Sequence, residues 1–104
     1  MSNGQEGQMP DPEMLKQMFP DDAGGMAKLC ISMLCGTAWQ FLGMAIHPKK
    51  GVIIKDLPQA KLAIDCSASL LEHLKGHMSS VEEQEFNRVL SDLRMNFVSQ
   101  SKGG

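Results

Sequence analysis

From Asp56 to Val98 the chain reads DLPQAKLAIDCSASLLEHLKGHMSSVEEQEFNRVLSDLRMNFV, two capped amphipathic helices around a tight Gly76–Ser80 connection. In the first, Leu57, Ala60, Ile64, Ser67, Leu71, Leu74 and Met78 fall at alternating steps of three and four, so they share one face. Ala63 and Leu70 widen that stripe, while Gln59, Lys61, Asp65, Ser69, Glu72 and Lys75 take much of the opposite surface. Asp56 is the expected cap, with Gln59 three positions on in capping-box register, and Gly76 is a natural left-handed stop. The second helix opens at Ser79-Ser80, where Ser80 and Glu83 supply the expected Ser-x-x-Glu box. Glu82, Glu83 and Glu85 place negative charge at the positive end of its dipole. Phe86, Val89, Leu90, Leu93 and Phe97 line one face, and so short a link implies an antiparallel hairpin, stripe against stripe.

Before this hairpin, the eighteen residues from Leu29 to Ile46 carry no charge. A helix over Met26–Ile46 would span roughly 30 Å, the thickness of a bilayer core. Ser32, Thr37, Gln40 and two glycines, with few Leu, Ile or Val, make a buried helix of a soluble bundle the preferred reading. Association with a membrane through residues 29–46 is the lesser alternative. Ser32, Gly36 and Gln40 recur every four residues, and Gly43 follows Gly36 by a heptad. Small residues in such a row let another backbone approach closely, which would offset the roughly 1 kcal/mol that an interior helical Gly costs. Ser32, Gly36, Gln40 and Gly43 are therefore candidate interface residues. His47-Pro48-Lys49-Lys50-Gly51 then turns the chain, and Val52-Ile53-Ile54 is a short β-branched run suited to an extended strap.

A chain of 104 residues holds one domain at most. Residues 1–23, rich in Gly, Gln, Pro and acid, read as a mobile acidic arm; 24–100 as the helical domain; and 101–104 as a disordered tail. Within the arm, Asp11-Pro12-Glu13 looks like a helix start, placing Met14, Leu15, Met18 and Phe19 on one side for docking, on this domain or on another protein. At this size a single core supplies only about 3–5 kcal/mol. Three cysteines cannot all pair. Without a metal or a disulfide, self-association as a dimer or higher oligomer is the remaining route to stability. The first twenty residues lack the basic start and apolar core of a secretory signal, so a reducing cytoplasm is expected. Lys49, Lys50 and Lys55 surround one loop, yet no Arg cluster or aromatic interleaving suits nucleic acid, and the net charge is −2.

The constellations that could carry chemistry are thin. Asp65, Ser69 and His73 lie one turn apart, with the composition of a hydrolase triad, but a straight helix offers no oxyanion donors. Cys30, Cys35 and Cys66, with His47, His73 and His77, form no metal-ligand spacing; His73 and His77 are the best pair. A small metal- or cofactor-binding subunit using these residues is the contrasting functional reading. Arg94 borders the apolar face of its helix and can reach Asp65, Glu72 or an acid of a second chain, which adds it to the candidate interface. Nine methionines suit an adaptable binding surface or the filling of an irregular core equally well. No nucleotide fingerprint is present. Neither catalytic residue, metal nor cofactor is expected.

Leu42-Gly43 before a Pro- and Gly-containing loop, then Asp56-Leu57, Ala60-Lys61, Ile64-Asp65, Gly76, an acidic helix opening, and Asp92-Leu93-Arg94-Met95 with Phe97-Val98, form an ordered series. Over about Met26 to Val98 it resembles the bacterial family filed as domain of unknown function 1844. That resemblance implies a small, soluble, all-helical protein with no assigned activity. The expectation is thus an all-α module, one long apolar helix packed on an antiparallel helical hairpin, in an oligomeric bundle. Its expected role is non-catalytic, that of a self-associating accessory or adaptor protein.

Overall fold

The structure, a computed structural model, describes residues 11–103, with Met18 described by its backbone alone. The mobility expected of residues 1–10 lies outside the described residues. Six elements follow one another: α1 (Pro12–Met18), α2 (Ala23–Phe41), β1 (Leu42–Ile46), β2 (Ile53–Lys55), α3 (Leu57–His73) and α4 (Ser80–Gly103). The fold is mostly helical, and the all-α expectation is corrected by a small two-stranded antiparallel sheet.

That sheet takes its first strand from residues expected to be helical. α2 begins at Ala23, three residues earlier than the apolar pattern suggests, because the Asp22 side chain accepts a hydrogen bond from the Gly25 N–H at 2.8 Å. It stops at Phe41 because Gly43 takes a φ of 82°, the left-handed conformation that closes a helix. Gly43 therefore sits in β1, and the heptad row with Gly36 is broken. β1 and β2 pair Leu42 with Lys55 and Ile46 with Ile53, with a bulge between. The β-branched run after Gly51 is the strand that closes this hairpin, and its last step is tied down where the Asp56 N–H donates to the Phe41 carbonyl at 2.8 Å.

Asp56 caps α3 as expected, accepting from the Gln59 N–H at 3.2 Å, and Gly76 turns the chain with a φ of 87°. The box at the start of α4 is one residue out of its expected register. Ser79, not Ser80, accepts from the Glu82 N–H at 3.1 Å, and the Glu82 carboxylate accepts from the Ser79 N–H at 3.1 Å. The same carboxylate pairs with Lys28 of α2 at 3.1 Å, an added tie between the start of α4 and α2. At its far end α4 continues to Gly103, through residues expected to fray.

Ile31, Cys35, Ala38 and Leu42 are buried against Ala60, Ala63, Ile64, Ser67, Leu71 and Leu74 of the α3 segment, with Leu90 and Leu93 of α4 completing the core. Ser67, fully buried, satisfies its hydroxyl by donating to the Ala63 carbonyl at 2.8 Å. The start of α2 lies beside the end of α3, Ala23 and Gly24 sharing a hollow with His73, Leu74 and His77. α3 and α4 also run in opposite directions, since Lys75 neighbours Glu83 while Lys61 neighbours Phe97. α1 makes no substantial contact with any other element. The molecule is accordingly open, with a radius of gyration of 16.5 Å where a compact chain of this length would have about 13 Å. Its shortest dimension, 18 Å, leaves room for two helix layers at their usual spacing of about 8–10 Å.

Candidate functional site

Because successive residues of a helix are about 100° apart, the inward row Ile31, Cys35, Ala38 leaves a second face of α2 unused. Cys30, Met33 and Thr37 belong to it. They meet Cys66, Ser69 and Leu70 of α3 across an open groove of about 650 Å³, which also exposes part of Leu34. No charged side chain lines this groove. Met33 is 63% exposed on one bank, and Leu62, one turn before Cys66 on α3, is 57% exposed. Lys28, the only charged residue of α2, is engaged with Glu82 elsewhere. The outcome is an uncharged, methionine-bearing face that no other described residue of the chain covers.

The expected interface residues scatter relative to this face. Ser32 and Gly36 are exposed on the outer side of α2, where a Cβ added to Gly36 would meet nothing within 4 Å. Gln40 is half-buried, and Gly43 lies in the strand. Arg94 is exposed, and the ion pairs with Asp65 or Glu72, the lesser alternative to an ordinary snorkelling arginine, do not form. Each acid is engaged by a lysine of its own helix, Asp65 with Lys61 at 2.7 Å and Glu72 with Lys75 at 3.2 Å. On α1, Met14, Leu15 and Phe19 are exposed, as a docking segment requires. The side chain of Met18 lies outside the described residues.

The thiols divide by position. Cys30 and Cys66 are accessible in the groove, whereas Cys35 is buried behind it with its Sγ 3.8 Å from the Ser67 Oγ. Burial pushes the Cys35 thiol up from its ordinary pKa, an effect that the contact with Ser67 offsets in part. His73 ends α3 and His77 follows the turn, so the two are not one helical turn apart. Among the described residues, no group of three or more His, Cys, Asp or Glu side chains is placed to hold a metal ion. Asp65, Ser69 and His73 are exposed on α3, with Asp65 held by Lys61, and they make no hydrogen bond to one another. No described helix is long and apolar enough to cross a membrane.

Met33 and Cys66 of the groove, with the exposed Leu62 one turn before Cys66, are the ones that sequence reasoning missed. Their signal was present: Leu62 and Cys66 are apolar yet lie off the main stripe of α3, which is what a second apolar face looks like in one dimension.

A family model described as a domain of unknown function (DUF1844) matches residues 26–99, which runs from the first turn of α2 through most of α4 and leaves α1 outside. No curated protein and no solved structure matches the chain.

Proposed function

The chain belongs to the DUF1844 family, and from that footing we propose that it is a non-catalytic accessory or adaptor protein that self-associates and works through contacts with other proteins. One observation carries the reading: the uncharged α2–α3 groove lined by the exposed Met33, with Leu62 also exposed one turn before the lining Cys66. Apolar helical surface left open at this scale is characteristic of interaction sites. In this proposal a second copy covers the groove, so that α2, packed on α3 and α4, becomes the inner layer of an oligomeric helical bundle.

Surface area supports the reading. The chain exposes 7158 Å², about 1,400 Å² more than a compact monomer of its mass would. That excess is larger than the roughly 800 Å² that a standard interface covers on each partner. The three free cysteines are in keeping with a reducing compartment, and a cytoplasmic location forms part of the proposal.

Sedimentation velocity tests it. The unaltered chain should be a dimer or larger at micromolar concentration. Met33→Glu or Leu62→Glu, at exposed positions that leave the monomer fold alone, should weaken association about a hundredfold or more, because an unpaired carboxylate in an apolar interface costs several kcal/mol. A chain that remains monomeric across the micromolar range would refute the proposal.

A further inference from the structure

We infer that the C-terminal half of α4 is a docking surface for α1 of a second copy of this chain. Two shallow grooves meet there, of about 480 Å³ and about 300 Å³, and both are lined by Arg94 and Val98. Their apolar floor includes Met95, 69% exposed, and Val98, 50% exposed, neither of which the core uses. Their rim is basic: Arg94, Lys102 and Lys61 outweigh the one acid present, Asp65, which Lys61 already engages. Arg94 and Lys102 have no acidic partner among the described residues.

α1 has the opposite character. Asp11, Glu13, Asp21 and Asp22 against Lys16 make this stretch acidic, while Met14, Leu15 and Phe19 expose its apolar side. An acidic amphipathic helix and an apolar patch with a basic rim are complementary in both charge and hydropathy.

Reach decides which copy supplies the helix. The base of α1 is clamped, because Pro20 lies so close to Gly25 that a Cβ there would come within 2.6 Å of it, and Asp22 is engaged in capping α2. The Lys28–Glu82 pair puts that base at the start of α4. From Glu82 to Val98 the helix rises about 24 Å, whereas the seven residues of α1 span only about 10 Å. The arm of a chain cannot lie on that chain's own patch. The arm of a neighbour can, and this surface is separate from the α2–α3 groove, so the inference does not need that groove to associate.

Hydrogen exchange on the full chain, dilute and concentrated, tests this. A seven-residue helix alone is marginal in water, so its amides report docking directly. On concentrating the protein, the amides from Met14 to Phe19 should slow by about tenfold or more, a stabilisation of about 1.4 kcal/mol. Arg94→Glu with Lys102→Glu should abolish the slowing, and adding Glu13→Lys and Asp21→Lys to that chain should restore it. Met33→Glu, which addresses the other face, should leave it in place, so the two proposals fail separately. Protection that does not depend on concentration would mean docking within one chain. Protection that survives reversal of Arg94 and Lys102 would mean another surface. No protection at all would leave the arm for an outside partner. Any of the three overturns the inference.

Discussion

Gly43 and Gly36 separate two roles that a glycine can have. At Gly43 a Cβ would meet nothing closer than Lys55 at 3.7 Å, so space is not the constraint, but its φ of 82° is. Gly43→Ala should therefore cost about 1–2 kcal/mol, read as a lower urea midpoint at unchanged slope. Gly36 has helical backbone and open space around it, so Gly36→Ala should stabilise the monomer by up to about 1 kcal/mol through helix propensity alone. If Gly36→Ala destabilises the dilute protein instead, the helix at that point has a neighbour the fold does not account for. Thiol accessibility adds a second residue-scale test. Alkylation of the native protein should modify Cys30 and Cys66 quickly and Cys35 slowly, since Cys35 is both buried and raised in pKa. Under the proposed self-association, the two fast sites should slow as concentration rises.

Among the elements, α4 depends on Glu82 in two ways, as the reciprocal partner of Ser79 and as the anion beside Lys28. Both lower its carboxyl below the ordinary value of 4.5, the Ser79 backbone contact first. A carboxyl lowered by folding contributes stability that is fully present above the unfolded pKa and is lost as pH falls through the folded one. Glu82→Gln should thus destabilise at neutral pH and flatten the fall in stability from about pH 4.5 downward, as thermal melts across that window would read. Equal pH profiles for the two proteins would remove Glu82 from this role. The start of α4 was legible to within one residue, because local capping chemistry marks an end wherever Ser precedes Glu. Glu82 also pairs with Lys28, fifty-four residues before it in the chain, and a local reading has no access to that contact. The end of α2 illustrates the opposite case. Leu42-Gly43 carried a usable stop signal, but an uncharged run continues the helical pattern past it, and strand pairing with Ile53 and Lys55 settles the matter at a distance. Caps and stripes were readable, and Leu62 and Cys66 carried the trace of a second apolar face; the pairing of β1 with β2 was not, because it arises from what the residues after α2 meet in three dimensions.

For the molecule as a whole, a core this small leaves little stability in reserve, so the proposed association would show directly in the folding equilibrium. Leu93 is fully buried where α4 meets the core, so Leu93→Ala should cost about 2–5 kcal/mol. For a domain of this size that lowers Tm by about 10 °C or more. Under the proposed covering of the α2–α3 face, the dimer forms only from folded chains, so association draws the equilibrium toward the native state and Tm rises with protein concentration. Leu93 lies inside the protomer and away from that face, so its loss weakens folding without touching the contact. The variant should then keep the same concentration dependence as the unaltered chain, displaced downward by a constant interval. Met33→Glu should do the converse, leaving the dilute Tm nearly unchanged and removing its rise. Calorimetry of both variants over a wide concentration range separates the terms. If Met33→Glu and the unaltered chain melt alike at every concentration, the groove contributes nothing to stability and this molecule stands on its own core.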